Sequence, residues 1–271
     1  MYGVAKNRHN SSCATVSFAE LASANVVGYQ NKTLSGNYAY NLTVNSFKTV
    51  GKDADKMTLG DILPSASWMG GSDEIKTLKA NGAVDKAYTY MNEQDAKDWG
   101  FTAGWYLTSE YNDDSLDLTG RCKNDELLPL GNGLLVLVGS ASTTLTYAGE
   151  VLTADQPITL KGNYAYNITG NIMPSDMTLG DIVPSASWMG GSDELKTLKS
   201  NGAVDQAYTF MNAQDAKDWG FTPGWYLTSE YNNDSLDLTD RCKNSLPVSA
   251  GEAFIVLVGS AATTITIPTA L

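Results

Sequence analysis

MTLGDILPSASWMGGSDEIKTLK, residues 57–79, returns almost letter for letter as MTLGDIVPSASWMGGSDELKTLK at 177–199. The match runs further. Residues 57–123 align with 177–243 at a constant offset of 120 without a gap, and only nine of those 67 positions differ. A repeat of this length is a folding unit in tandem, not a turn of a solenoid. The architecture of the chain is therefore decided by what one copy does. Upstream, GNYAYNLT (36–43) matches GNYAYNIT (162–169) at an offset of 126, so the first copy carries six extra residues around VNSFKTVGKDADK, a polar surface loop by composition. Downstream, GLLVLVGSASTTLTY matches AFIVLVGSAATTITI. These boundaries predict an N-terminal arm at 1–24, a first repeat at 25–152 and a second at 153–271. Pro157 fixes the chain where the second begins.

Within one copy the signals are those of short strands. Tyr38, Tyr40, Leu42 and Val44 alternate with smaller or polar residues, the period of a half-buried strand. Asn81-Gly82 between two strand-like runs predicts a hairpin with a type I′ turn. LLVLV (134–138) and TTLTY (143–147) predict a further pair across GSAS. Thr58, with Asp61 three residues on, predicts a short capped turn. Asn92 predicts the N-cap of a helical turn over EQDAKDW. The expected fold is all-β with minor α: two tandem β-sandwich-like domains with short helical turns.

Composition bounds the function. A chain of 271 residues, 42% hydrophobic and 18% charged, is a folded globular protein. Its longest apolar run, LLVLV, is far too short for a membrane span, so no membrane insertion is expected. A net charge of −12 argues against nucleic acid as a partner. MYGVAKNRHNSSC has no apolar segment of the kind a secretory leader carries.

Catalytic groups are scarce. The one histidine, His9, is not repeated. The carboxylates Asp73, Glu74, Asp95, Asp98, Asp113, Asp114 and Asp117 recur at +120, except that Asn233 stands for Asp113. Two of them could flank a glycosidic bond, but so small a unit offers little cleft, and the expectation is that the protein is not an enzyme. The loops NDDSLDLT (112–119) and NNDSLDLT (232–239) concentrate oxygen donors. A calcium ion there would draw on Asp113, Asp114, Asp117, Asp234 and Asp237. The competing reading is a turn, since Asp, Asn and Ser are turn formers, and no other cofactor is expected. Trp68, Trp99, Trp105, Tyr106 and Tyr111, with copies Trp188, Trp219, Trp225, Tyr226 and Tyr231, either fill the core as one cluster per repeat or stand out to stack on sugar rings. Cys122 and Cys242 hold the same place in the two repeats and Cys13 is the odd one, which leaves an inter-chain disulfide among Cys13, Cys122 and Cys242, or three reduced thiols.

The order SANVVGYQNKTL, NYAYN, MTLGDILP, a mid-unit hairpin, GLLVLVGSASTTLTYAGEV and SAGEAFIV resembles a tandem repeat domain of secreted bacterial surface proteins. The resemblance covers nearly the whole chain. It implies β structure and an extracellular or cell-surface location, and it carries no catalytic residue across. One departure is the segment MYGVAKNRHNSSCATVSFAEL, which stands where the family has a cleaved leader.

ATVSF (Ala14, Thr15, Val16, Ser17, Phe18) looks like the closing strands TTLTY and TTITI, yet no repeat precedes it. It stands to the first repeat as the joint GEVLTADQP stands to the second. From this we expect a non-enzymatic extracellular structural protein that assembles head to tail into a filament or surface layer by strand pairing between subunits. Cys13, the arm strand and Thr263, Thr264, Ile265, Thr266 and Ile267 would form the joint. The alternative is a secreted carbohydrate-binding or adhesive module that takes a glycan on exposed aromatics.

Overall fold

The structure is a computed structural model that describes residues 27–268. Cys13 and the arm strand Ala14 to Phe18 lie outside the described residues. The chain is mostly β. In the first repeat the strands are β1 (Val27–Leu34), β2 (Ala39–Val44), β3 (Ile62–Pro64), β4 (Asp73–Leu78), β5 (Val84–Met91), β6 (Gly104–Leu107), β7 (Gly133–Val138) and β8 (Thr143–Glu150). The second continues with β9 (Gln156–Leu160), β10 (Ala165–Gly170), β11 (Met177–Thr178), β12 (Val183–Pro184), β13 (Glu194–Leu198), β14 (Val204–Met211), β15 (Gly224–Leu227), β16 (Pro247–Val248), β17 (Ala253–Val258) and β18 (Thr263–Ile267). Two helical segments per repeat, α1 (Glu93–Trp99) and α2 (Thr108–Tyr111), then α3 (Ala213–Trp219) and α4 (Thr228–Tyr231), follow β5 and β6 in the first repeat and β14 and β15 in the second.

Each repeat builds two main antiparallel sheets, and the second adds a two-stranded one of β11 and β16. The larger runs β2-β7-β4-β5-β6 in the first and β10-β17-β13-β14-β15 in the second; the smaller runs β1-β8-β3 and β12-β18-β9. Alternate residues of both sheets meet in one core: Leu34, Ile62, Leu145 and Tyr147 from the small sheet against Ile75, Tyr88, Trp105, Leu134, Val136 and Val138 from the large one. Trp105 is fully buried, crosses Trp68 edge to face at 5.4 Å and donates its indole N–H to the Ile62 carbonyl at 3.1 Å. Burying one such side chain is worth about 1.5–3 kcal/mol.

Several expectations need correction. β7 and β8 do not pair with each other. Both edges of β7 are taken, by β2 and β4, so the chain crosses at GSAS to the other sheet. The Asn81-Gly82 hairpin is present between β4 and β5, but only Gly82 has positive φ, at 81°. Gly82 N–H donates to the Lys79 carbonyl, a type I turn closed by a left-handed glycine in place of type I′, and the register shifts beside it. The closing strand is also misplaced by the sequence reading. Residues 263–267 form β18, the central strand of its sheet, paired to β9 along its whole length and to β12 at Thr266 and Ile265. Its backbone is consumed inside its own repeat and offers no edge to a neighbour. The helical turns fall where expected: Thr58 and Asp61 complete a capping box, and the Asn92 side chain accepts from Asp95 N–H. Among the described residues no helix is long and apolar enough to cross a membrane.

The repeats meet through the outer faces of their large sheets. The contact is reciprocal. Tyr40 N–H donates to the Ser200 carbonyl at 2.7 Å, and Tyr166 N–H to the Ala80 carbonyl at 2.8 Å. The Tyr40 ring lies on Gly202 and the Tyr166 ring on Gly82, where a Cβ would come within 3.0 and 3.1 Å of the ring. Lys76 stands over Tyr40 at 5.7 Å and Lys196 over Tyr166 at 5.9 Å. Equivalent groups on both sides exchange the same bonds, which is the mark of a two-fold, isologous interface. Val44, Leu42 and Leu130 of the first repeat join the second repeat's core across it.

One position in the seam has no room for a side chain. A Cβ at Gly133 would collide with Ile168 Cγ2. Gly133→Ala should cost about 1–3 kcal/mol by overpacking and lower Tm by several degrees in a calorimetric scan. Paired with Ile168→Ala it should cost less than the sum of the two single changes.

Candidate functional site

Each repeat carries a small outer cap on the β5–β6 or β14–β15 end of its large sheet. In the first, Met91, Ala96, Tyr106 and Leu118 bury together beneath α1, with Phe101, Tyr111, Leu116 and Cys122 packed around them. The second repeats this with Met211, Ala216, Tyr226 and Leu238. Asn92 caps α1, and Gly100, at φ 79°, ends it in the left-handed conformation that only glycine adopts without strain. That stop leaves Trp99 as the last helical residue, 53% exposed; Trp219 is 52% exposed. The remaining tryptophans, 68, 105, 188 and 225, are buried. The expectation of a single buried aromatic cluster thus fails: Trp68 and Trp105 lie in the sheet core, Tyr106 and Tyr111 in the cap, and Trp99 stands at the surface.

Trp99 does not stand alone. Its ring lies 5.8 Å from that of Tyr111, tilted by 48°, and Trp219 lies 5.5 Å from Tyr231, tilted by 45°. Tyr111 is seated by two glycines. A side chain at Gly70 would strike its hydroxyl, and at Gly71, φ 81°, one would come within 2.8 Å of Asn112 Oδ1. Met69, exposed, is the next residue along. Asp95 lies in the first turn of α1, close enough for its charge to reach Tyr111. Burial first, and then the negative charge of Asp95, push the Tyr111 phenol above its ordinary pKa; Tyr231 shifts the same way through burial and Asp215. The phenols therefore stay protonated at neutral pH, able to donate. The result is an exposed Trp packed on a half-buried Tyr, with an Asn amide and an Asp carboxylate near the tyrosine, built twice.

The loop holding this face is fixed by a buried carboxylate. Asp73 is fully buried and accepts from Met69 N–H at 2.9 Å, Ser140 N–H at 3.0 Å and the Ser140 hydroxyl at 2.8 Å. Asp193 does the same with Met189 and Ser260. Glu74 pairs with Lys76 at 2.9 Å, Asp95 closes the Asn92 cap, and Asp98 accepts from Gln94. None of these is brought opposite another carboxylate across a cleft.

The acidic loops resolve as turns. Asp113 accepts from Ser115 N–H and hydroxyl, which hold its carboxyl below the usual range. Asn233 makes the same two bonds with an amide. An uncharged group fills the role equally, so the role is the turn. Asp117 and Asp237 accept from Thr119 and Thr239 N–H, which lowers both. Asp114 and Asp234 are exposed. Among the described residues no group of three acidic, histidine or cysteine side chains is placed to hold a metal ion. Cys122 and Cys242 are free, half-buried and in separate caps, with Cys122 Sγ under Gly104.

No protein-family model, curated protein or solved structure matches the chain. What the sequence could not signal is the exposure of Trp99. The one hint available was Gly100 directly behind it, a helix stop that leaves the preceding side chain at the rim. Iodide quenching checks the geometry. The Trp99→Phe, Trp219→Phe double variant should lose most quenchable tryptophan emission, while the folded signal of the four buried indoles persists.

Proposed function

We propose that this chain is a non-enzymatic, bivalent binding module of the extracellular or cell-surface space, taking a carbohydrate on the twin Trp99–Tyr111 and Trp219–Tyr231 platforms. One observation carries the reading: one of the three tryptophans of each repeat stands half exposed at a helix end beside a tyrosine, in both copies, and that tyrosine is seated on a loop pinned by a buried carboxylate. Exposing an indole forgoes the stabilisation of burying it. A ring face bordered by hydrogen-bonding groups suits the apolar face of a sugar and its hydroxyls. The resemblance to secreted surface proteins supports the location. We read the two sheets around each core as a sandwich-like unit, two in tandem. Two sites on one rigid body raise retention on a multivalent surface by about a hundredfold or more over one site. On a glycan array and on insoluble polysaccharides, Trp99→Ala or Trp219→Ala should remove that gain, and the double substitution should abolish retention. Wild-type retention by the double variant would sink the reading.

A second reading, head-to-tail assembly into a filament or layer, is favoured by the outer edge of β1. Eight residues long, β1 pairs among the described residues with β8 on one side only, and it exposes Val27 and Tyr29. An unpaired edge of that length is a template for an added strand. The joining strand would come from residues 14–18 of a neighbour. Electron microscopy of the full chain should then show fibres or sheets that vanish when residues 1–21 are deleted.

A further inference from the structure

We infer that the seam between the repeats is an exchange surface, and that its fitting partner outside the chain is the opposite repeat of a second copy. This rests on neither reading above. The seam is built from reciprocal contacts: Tyr40 on Gly202 and Tyr166 on Gly82, with Tyr40 N–H to Ser200 and Tyr166 N–H to Ala80. Every one of them joins groups of different repeats, and none needs those repeats to belong to one chain. The same contacts form when the first repeat of one molecule meets the second repeat of another.

The seam is nonetheless not indifferent to which repeats it joins. Gly133 makes room for Ile168, while the equivalent pair, Ala253 and Leu42, belongs to one apolar cluster at the seam. Two second repeats would set Ala253 against Ile168, where a Cβ has no space. Two first repeats would set Gly133 against Leu42 and leave a gap. Both mismatches penalise like-with-like pairing, one by collision and the other by a lost contact. First pairs with second.

The connection permits the exchange. β8 ends at Glu150 and β9 begins at Gln156. Val151 packs on the first repeat's core and Leu152 is buried with the second's, while residues 153–155 between those anchors and β9 are exposed. The crossing between the repeats is thus the Val151–Leu152 step, and release of Leu152 from the second repeat's core would let residues 152–155 extend as the hinge. If two chains exchange reciprocally, the product closes as a dimer. If the exchange is not returned, it runs on as an open chain. Within one molecule the halves meet at an effective concentration on the order of millimolar, so the closed monomer prevails at low concentration and exchange is captured during folding at high concentration.

The test uses the full chain with a protease site inserted between Thr153 and Ala154, alongside the unmodified protein. Both are unfolded and refolded at about 10 and about 100 µM, and the exchanged fraction should rise roughly tenfold. Species are separated by size, diluted and cut at the inserted site. Exchanged dimers and longer chains should collapse on cutting into bodies the size of one chain, and native mass spectrometry should find one first and one second repeat in each. Overturning results are monomer alone at both concentrations, oligomers or precipitate that survive cutting, or pairs of like repeats. Oligomers built by strand addition at β1 survive cutting, so failure here is distinct from failure of the assembly reading.

Discussion

The carboxylate of Asp73, and of its twin Asp193, is the interaction on which the other features rest. A fully buried charge survives only if its desolvation is met by donors, and three meet it. Those donors come from two directions. Met69 N–H belongs to the glycine-containing loop that seats Tyr111; Ser140 belongs to the crossing that carries the chain from the large sheet to the small one. Thr89 adds a second tie, donating its hydroxyl to the Asp73 carbonyl and accepting from Gly71 N–H. The crossing in turn receives Asn37 N–H at the Ser140 carbonyl. One side chain thereby fixes the angle between two sheets, the entry to β2 and the loop under the aromatic platform. Loss of a single donor would leave the others facing an under-satisfied buried charge, a cost of several kcal/mol.

Much of the fold was legible because it is local or repeated. The duplication declared itself in nine differences over 67 positions. Asn92 and the Thr58–Asp61 pair announced their helical turns through cap chemistry, which acts over three residues. The alternation of Tyr40, Leu42 and Val44 marked a strand with one apolar face. What that face would meet was not legible, and it meets the other repeat. Pairing beyond nearest neighbours was the chief loss. β7 and β8 are consecutive and apolar, and sequence proximity suggested a hairpin, but the edges of β7 were claimed by β2 and β4 from far along the chain. Residues 263–267, expected at the joint between subunits, are flanked by β9 and β12 in their own sheet, a pairing equally far from local signals. Of the candidate site, the residues were in view but their exposure was not. Trp99 and Trp105 are six positions apart and chemically alike, and only the helix stop at Gly100 separates a rim residue from a core one.

Some differences between the repeats change a pairing and leave the backbone alone. Lys86 pairs with Glu126 in the first repeat, and Gln206 stands in its place in the second. The extra loop of the first repeat brings Lys52 to Asp61 at 2.8 Å, a partner that Asp181 does not have in a loop six residues shorter. Gly120 and Asp240 share a left-handed backbone, at φ 71° and 60°, so one copy keeps the conformation with glycine and the other with a residue type that tolerates it. Pairings change while the backbone does not.

A half-turn relation between the repeats also governs direction. A sugar polymer has a reducing and a non-reducing end, and a rotation by 180° reverses whatever component of that polarity lies across the axis. If the platforms take sugar as proposed, a strand laid over Trp99 in its preferred sense would arrive at Trp219 pointing backwards. The pair would then suit two glycan strands of opposite sense, a rivet between neighbouring strands and not a clamp along one.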